Sequence, residues 1–188
     1  MKLGPRFRQA LAYAAQLHAH QHRKGTRTAY VGHLLGVASL VIEDGGNEDE
    51  AIAALLHDAI EDQGGNRIRT QIRKRFGPRV TRIVDGCTDT DAVPKPPWRP
   101  RKEAYLRHLR RAPKSVLRVS LADKLHNART ILRDYRRIGN RLWPRFKGRK
   151  HGTLWYYRQL AALFKKRMPG AMATELERVV AELEGLAD

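Results

Sequence analysis

Two segments constrain this chain more than any others: AIAALLHDAIED (51–62) and SLADKLHNART (120–130) each thread a polar row through otherwise apolar sequence. At ~100° per residue, His57, Asp58, Glu61 and Asp62 fall within an arc of roughly 140°. Ile52, Leu55, Leu56, Ala59 and Ile60 occupy the other side, and the small Ala54 lies one turn earlier. The second segment sets Asp123, His126, Asn127 and Thr130 at i, i+3, i+4 and i+7 against a ridge of Leu121, Leu125, Ala128 and Leu132. A solvated face is the ordinary fate of such a stripe. Here the apolar flanks mark both helices as central, and three carboxylates in two turns repel one another unless a cation sits among them. Together the segments predict two core helices facing each other across a site.

The remaining pattern is helical as well, because Val, Ile and Thr seldom alternate with polar residues. It predicts helices over 6–22, 31–43, 47–62, 68–76, 78–87, 101–111, 114–134, 153–167 and 171–186. Asn47 with Glu50 reads as a capping box, Pro78 suits a first turn, and Gly45-Gly46 and Gly64-Gly65 are stops. Four prolines between Thr88 and Pro100 mark a loop, and RLWPRFKGRK (141–150) is the most loop-like part of the second half. Trp155, Tyr156 and Tyr157 read as core aromatics. The expected architecture is all-α: one compact helical-bundle domain over 1–170, with 171–188 an acidic helix packed on it.

Charge narrows the partners. The formal net charge is +18, and residues 171–188 carry −4, so the first 170 hold +22. Such a field draws polyanions: nucleic acid, anionic membrane or phosphorylated small molecules. The basic residues are scattered through nearly every segment instead of clustering with aromatics, which ranks a nucleic-acid-binding protein well below an enzyme. The first ten residues lack the apolar run of a signal peptide, no stretch is apolar enough to span a bilayer, and Cys87 is the single cysteine. The reading is cytoplasmic, with no membrane partner and a homo-oligomer left open.

His33, at the start of the apolar helix after TAYVG, adds a second imidazole to the set. His33, His57, Asp58 and Asp123 would give two nitrogens and two oxygens, a mixed donor set suited to Mn²⁺, Fe²⁺ or Zn²⁺ with positions left for water. Glu61 and Asp62, one turn past the His-Asp pair, could hold or deprotonate a water. His18 and His22, at i,i+4 in HAHQH, form a second and weaker candidate for a metal.

These motifs resemble the RelA/SpoT-type alarmone hydrolases in their small stand-alone form, from about Ala14 to Phe164. The resemblance rests on RKGT (23–26) with Tyr30 and His33, HDAIED (57–62), FG (76–77) with VDGCT (84–88), RKEAYL (101–106) and SLADKLHNART (120–130). HDxxED combined with ADKLHN is specific, whereas a bare His-Asp pair is not. The resemblance implies an HD-domain bundle that hydrolyses guanosine 5′-di- or triphosphate 3′-diphosphate, (p)ppGpp, releasing the 3′-pyrophosphate with Mn²⁺ as the metal. It implies His33, His57, Asp58 and Asp123 as ligands, Glu61 and Asp62 as the catalytic pair, Arg23 stacked on guanine, and Lys24, Asn127 and Thr130 as nucleotide contacts. Arg27 and Thr28 depart from the family's loop pattern. The chain leaves no room for the synthetase domain of the long enzymes. The alternative is an HD-type hydrolase of another nucleotide, such as an adenosine alarmone or a 3′-phosphorylated nucleotide.

Overall fold

A computed structural model describes residues 2–92 and 94–187. The order is α1 (Pro5–Leu17), α2 (Val31–Glu43), α3 (Glu48–Leu56), α4 (Ala59–Gln63), α5 (Gly65–Cys87), α6 (Trp98–Leu109), α7 (Lys114–Ile138), a 3₁₀ segment (Gly139–Arg145), α8 (Arg149–Arg167) and α9 (Ala171–Ala187). Among the described residues the one extended pairing is an isolated bridge between His22 and Ala29. No helix of these residues is long and apolar enough to cross a membrane.

The two striped segments lie at the centre. Every residue from Glu50 to His57 is buried, and α3 packs against α1, α2, α5 and α7. Its start is fixed by the expected capping box: Asn47 Oδ1 accepts from the Glu50 amide, and Glu50 Oε2 accepts from the Asn47 amide. On the other side of the core, α7 buries Val116, Leu117, Leu121, Leu125, Ala128 and Leu132. It is packed upon by α2, α5, α8 and α9.

Helix α9 lays Met172, Leu176, Val179, Val180 and Leu183 against α7 and α8. Its acidic face meets their cations. Glu175 and Glu182 pair with Arg129 and Arg136 of α7, and Glu177 and Glu184 with Lys165 and Arg158 of α8.

Several boundaries differ from the sequence expectation, each for a local reason. The first helix ends at Leu17, not 22. His18 turns inward and is buried, its Nδ1 2.6 Å from Gln21 Oε1, and the chain doubles back so that the Arg23 amide donates to the Thr28 carbonyl. His18 and His22 are therefore not one helical turn apart, which removes the basis for the second metal site. The expected helix to 62 breaks at His57-Asp58. The His57 Nδ1–H donates at 2.7 Å to the Ala54 carbonyl, the acceptor an unbroken helix would offer the Asp58 amide. Gly77, at φ 87, interrupts α5 just before Pro78, as the two expected segments require. The basic stretch 141–150 is structured: Leu142 and Trp143 are buried in the 3₁₀ segment, and α8 starts at Arg149. Helix α6 starts at Trp98, with Pro100 in its first turn, and α7 runs on to Ile138.

Candidate active site

The break between α3 and α4 is what builds the site. In an unbroken helix His57 and Asp58 would diverge by ~100°. Across the corner they converge instead, with His57 Nε2 3.0 Å from Asp58 Oδ2. From α2, His33 brings its Nε2 to 3.2 Å from Asp123 Oδ1 and 3.7 Å from Asp58 Oδ2, and Asp123 Oδ1 lies 3.5 Å from His57 Nε2. His33, His57 and Asp58 each offer a donor atom within 4.8 Å of the others.

Both Nε2 atoms are buried and lack a hydrogen-bond partner despite the nearby carboxylates. His57 carries its hydrogen on Nδ1, where the Ala54 carbonyl takes it, so its Nε2 lone pair faces acidic oxygens. Lone pairs and carboxylates aimed at one another are stable only with positive charge between them. The proton affinities carry the same message. Burial alone would push the Asp58 and Asp123 carboxyls up, yet His57 beside Asp58 and Lys124 beside Asp123 hold them well below the usual range. Burial would depress His57, but Asp58 and Asp123 raise it well above its ordinary value. A proton or a metal cation satisfies this cluster, and the donor set fits a divalent ion. Tyr30 donates to Asp58 Oδ2 at 2.6 Å and fixes that carboxylate from outside.

Glu61 and Asp62 stand on α4 at the edge of this cluster. Lys95 of the proline-rich loop meets Glu61 Oε1 at 2.7 Å, and the Asp89 amide approaches Glu61 Oε2 at 3.4 Å. Asp62 is reached by solvent but crowded by protein. Partial desolvation and the negative charge of Asp58 push its carboxyl up to about 6, against the Gln21 amide that donates to it at 2.8 Å.

The cleft around these groups has a volume of about 620 Å³. At one end Arg23 donates to Asn127 Oδ1 at 2.6 Å and lies 5.5 Å over the Tyr30 ring, while Asn127 Nδ2 donates to Asp123 Oδ1 at 2.5 Å. Lys24, Thr130 and Arg145 line the cleft too, the Arg145 side chain lying against Gly25 beside Lys24. Thr130 donates to the His126 carbonyl of its own helix, and Lys24 is exposed at the mouth. Nine of the ten sequence-predicted residues line this one cleft, and the tenth, His57, is buried behind its floor against Asp58.

The other end holds residues to which sequence reasoning gave no role: Lys95, Trp98, Arg101, Lys102 and Lys124. Asp89 binds Arg101 and Lys102 there, the latter at 2.6 Å. The dipeptide Arg101-Lys102 opens the RKEAYL motif, so the signal was present in the sequence. What was absent was any indication that α6 returns to the cleft.

A helical bundle with a His-Asp pair at its centre and a further Asp on a facing helix defines an HD-domain protein. The family model described as HD domain matches residues 10–153, and the chain belongs to that family. Within it, the chain is 38% identical over 128 residues to the guanosine-3′,5′-bis(diphosphate) 3′-pyrophosphohydrolase MESH1 of Xenopus tropicalis, covering 66% of this chain and 69% of that one. The Homo sapiens MESH1 is 34% identical over the same length, with the same coverages. In fold, the chain superimposes on a metazoan SpoT orthologue described as hydrolysing ppGpp, with a TM-score of 0.80, 24% identity and 99% coverage of both chains.

Proposed function

We propose that this protein is a metal-dependent pyrophosphohydrolase of ppGpp and pppGpp, releasing the 3′-pyrophosphate and leaving GDP or GTP. One observation carries the reading. Two unpartnered imidazole nitrogens and two carboxylates converge at the floor of a cleft, beside a carboxyl tuned to about 6 and beneath basic walls. The MESH1 relatives carry this activity in their names.

On this reading His33, His57, Asp58 and Asp123 hold a divalent ion, assigned as Mn²⁺ over Fe²⁺ or Zn²⁺. When bound, the ion supplies positive charge for the phosphate oxygens and makes water a better nucleophile. The protein's own groups do the rest. Asp62 is ionised above about pH 6 and takes the proton of the attacking water as that oxygen bonds to the 3′-phosphorus. Glu61, held by Lys95, orients the water. The P–O3′ bond breaks, and the departing 3′-oxygen takes up the proton that Asp62 removed from the water, which returns the carboxylate to its starting form. Arg23 stacks on the guanine, while Lys24, Asn127 and Thr130 hold ribose and phosphate. The catalytic unit is assigned to 1–170, with 171–188 closing α7 and α8, in a cytoplasmic protein whose partner is a small anionic nucleotide and not a nucleic acid.

The test is to strip the protein of metal, add ppGpp with and without Mn²⁺, and follow pyrophosphate. Mn²⁺-dependent release is expected. Release from an adenosine alarmone but none from the guanosine compound would overturn the substrate assignment.

A further inference from the structure

The two candidate imidazole ligands are held by different means, and this points to a residue outside the assigned set. His57 rests its Nδ1–H on a backbone carbonyl, that of Ala54, which no substitution can remove. His33 has no such acceptor. Its Nδ1 lies 2.9 Å from Nδ1 of His126, with the ring centroids 4.8 Å apart. One of two facing ring nitrogens must carry the hydrogen and the other the lone pair. If His126 carried it, His33 would have its own hydrogen on Nε2 and could not offer that atom to a metal.

We propose that His126 is a positioning residue: its Nδ1 accepts the His33 Nδ1–H and thereby turns the His33 Nε2 lone pair toward the ion. The inference rests on the metal reading above. A second observation supports it independently. A Cβ at Gly36 would stand 2.4 Å from Cδ2 and Nε2 of the His126 ring, so α2 is bare of side chain just where that ring must lie to reach His33. Gly36 and His33 share one helix, three residues apart, so a single face of α2 provides both the ligand and the seat for its partner. Outer partners of metal-binding histidines fix tautomer and ring orientation, and losing one costs 10–100-fold in affinity (roughly, in general).

The experiment is a titration of the metal-stripped full chain with Mn²⁺, read as a dissociation constant. His126→Leu should weaken binding by roughly 10–100-fold. His126→Gln, whose amide oxygen can accept the same hydrogen, should stay within about threefold of wild type. In the Zn²⁺-loaded wild-type protein, nitrogen-15 spectra should show a coupling across the hydrogen bond between His33 Nδ1 and His126 Nδ1. That measurement stands even if the leucine variant folds badly. Wild-type affinity in His126→Leu, a glutamine variant as weak as the leucine one, or absence of that coupling would each overturn the proposal. His33→Ala separates the two levels. If it leaves Mn²⁺ binding intact, the metal reading itself has failed; if it abolishes binding while His126→Leu does not, only the positioning role falls.

Discussion

The outer face of α9 and the floor of the cleft handle charge in opposite ways. On α9, four glutamates each meet a cation at the surface, with Glu175 and Glu182 spaced seven residues apart to match Arg129 and Arg136. Opposite charges are already paired there, and water softens whatever mismatch is left. At the cleft floor His33, His57 and Asp123 are buried, with Asp58 against them, and the nitrogens face the carboxylates without bonding them. Folding alone does not favour that arrangement. The difference separates charge that completes a surface from charge arranged to take up a cation.

The largest expected effect is at the floor. Asp58→Ala should abolish ppGpp turnover, by roughly 10³-fold or more, together with Mn²⁺ binding. Calorimetric melting would show it directly: Mn²⁺ at 100 times its Kd stabilises the wild type by about 2.7 kcal/mol, and the variant should gain nothing. Full activity in Asp58→Ala would erase the contrast between the two regions. One step out, Glu61→Gln should cost about 10²–10⁴ in kcat while leaving Mn²⁺ affinity near wild type. A matching loss of affinity would make Glu61 a ligand instead.

Asp62 sharpens the comparison through pH. Its folded carboxyl is raised to about 6, so the folded state holds that proton more tightly than the unfolded chain does. Stability from this group is present below the unfolded carboxylate pKa of about 4 and is lost as pH rises through about 6. Asp62→Asn should therefore melt like wild type at pH 4 and be more stable at pH 8, by about 1 kcal/mol once solvent screening is allowed for. It should also lose the activity limb near pH 6. The smallest effect is on α9: Glu182→Gln should change stability by no more than about 0.5 kcal/mol and leave turnover unchanged.

Much of this was legible in the residues. His57, Asp58 and Asp123 stood out because polar side chains at helical spacing in apolar segments have few reasons to exist, and the capping box at Asn47 set the entry to α3. The corner at His57 was not legible, because a side chain competing for the Ala54 carbonyl decides it, and periodicity cannot register that competition. The end of α1 was misread because HAHQH continues a helical alternation that the buried His18 cuts short. Lys95 gave no signal, and Arg101 and Lys102, though they open a motif, could not be placed at the site because their position depends on where a proline-rich connection delivers α6.

The corner between α3 and α4 has one further consequence. His57 closes the helix before it and Asp58 opens the short one after, so an ion gripping both would tie together two elements whose hydrogen-bond ladder is interrupted between them. Loading and the tilt of α4 then become a single variable, and Glu61 and Asp62 ride on the arm that the ion sets.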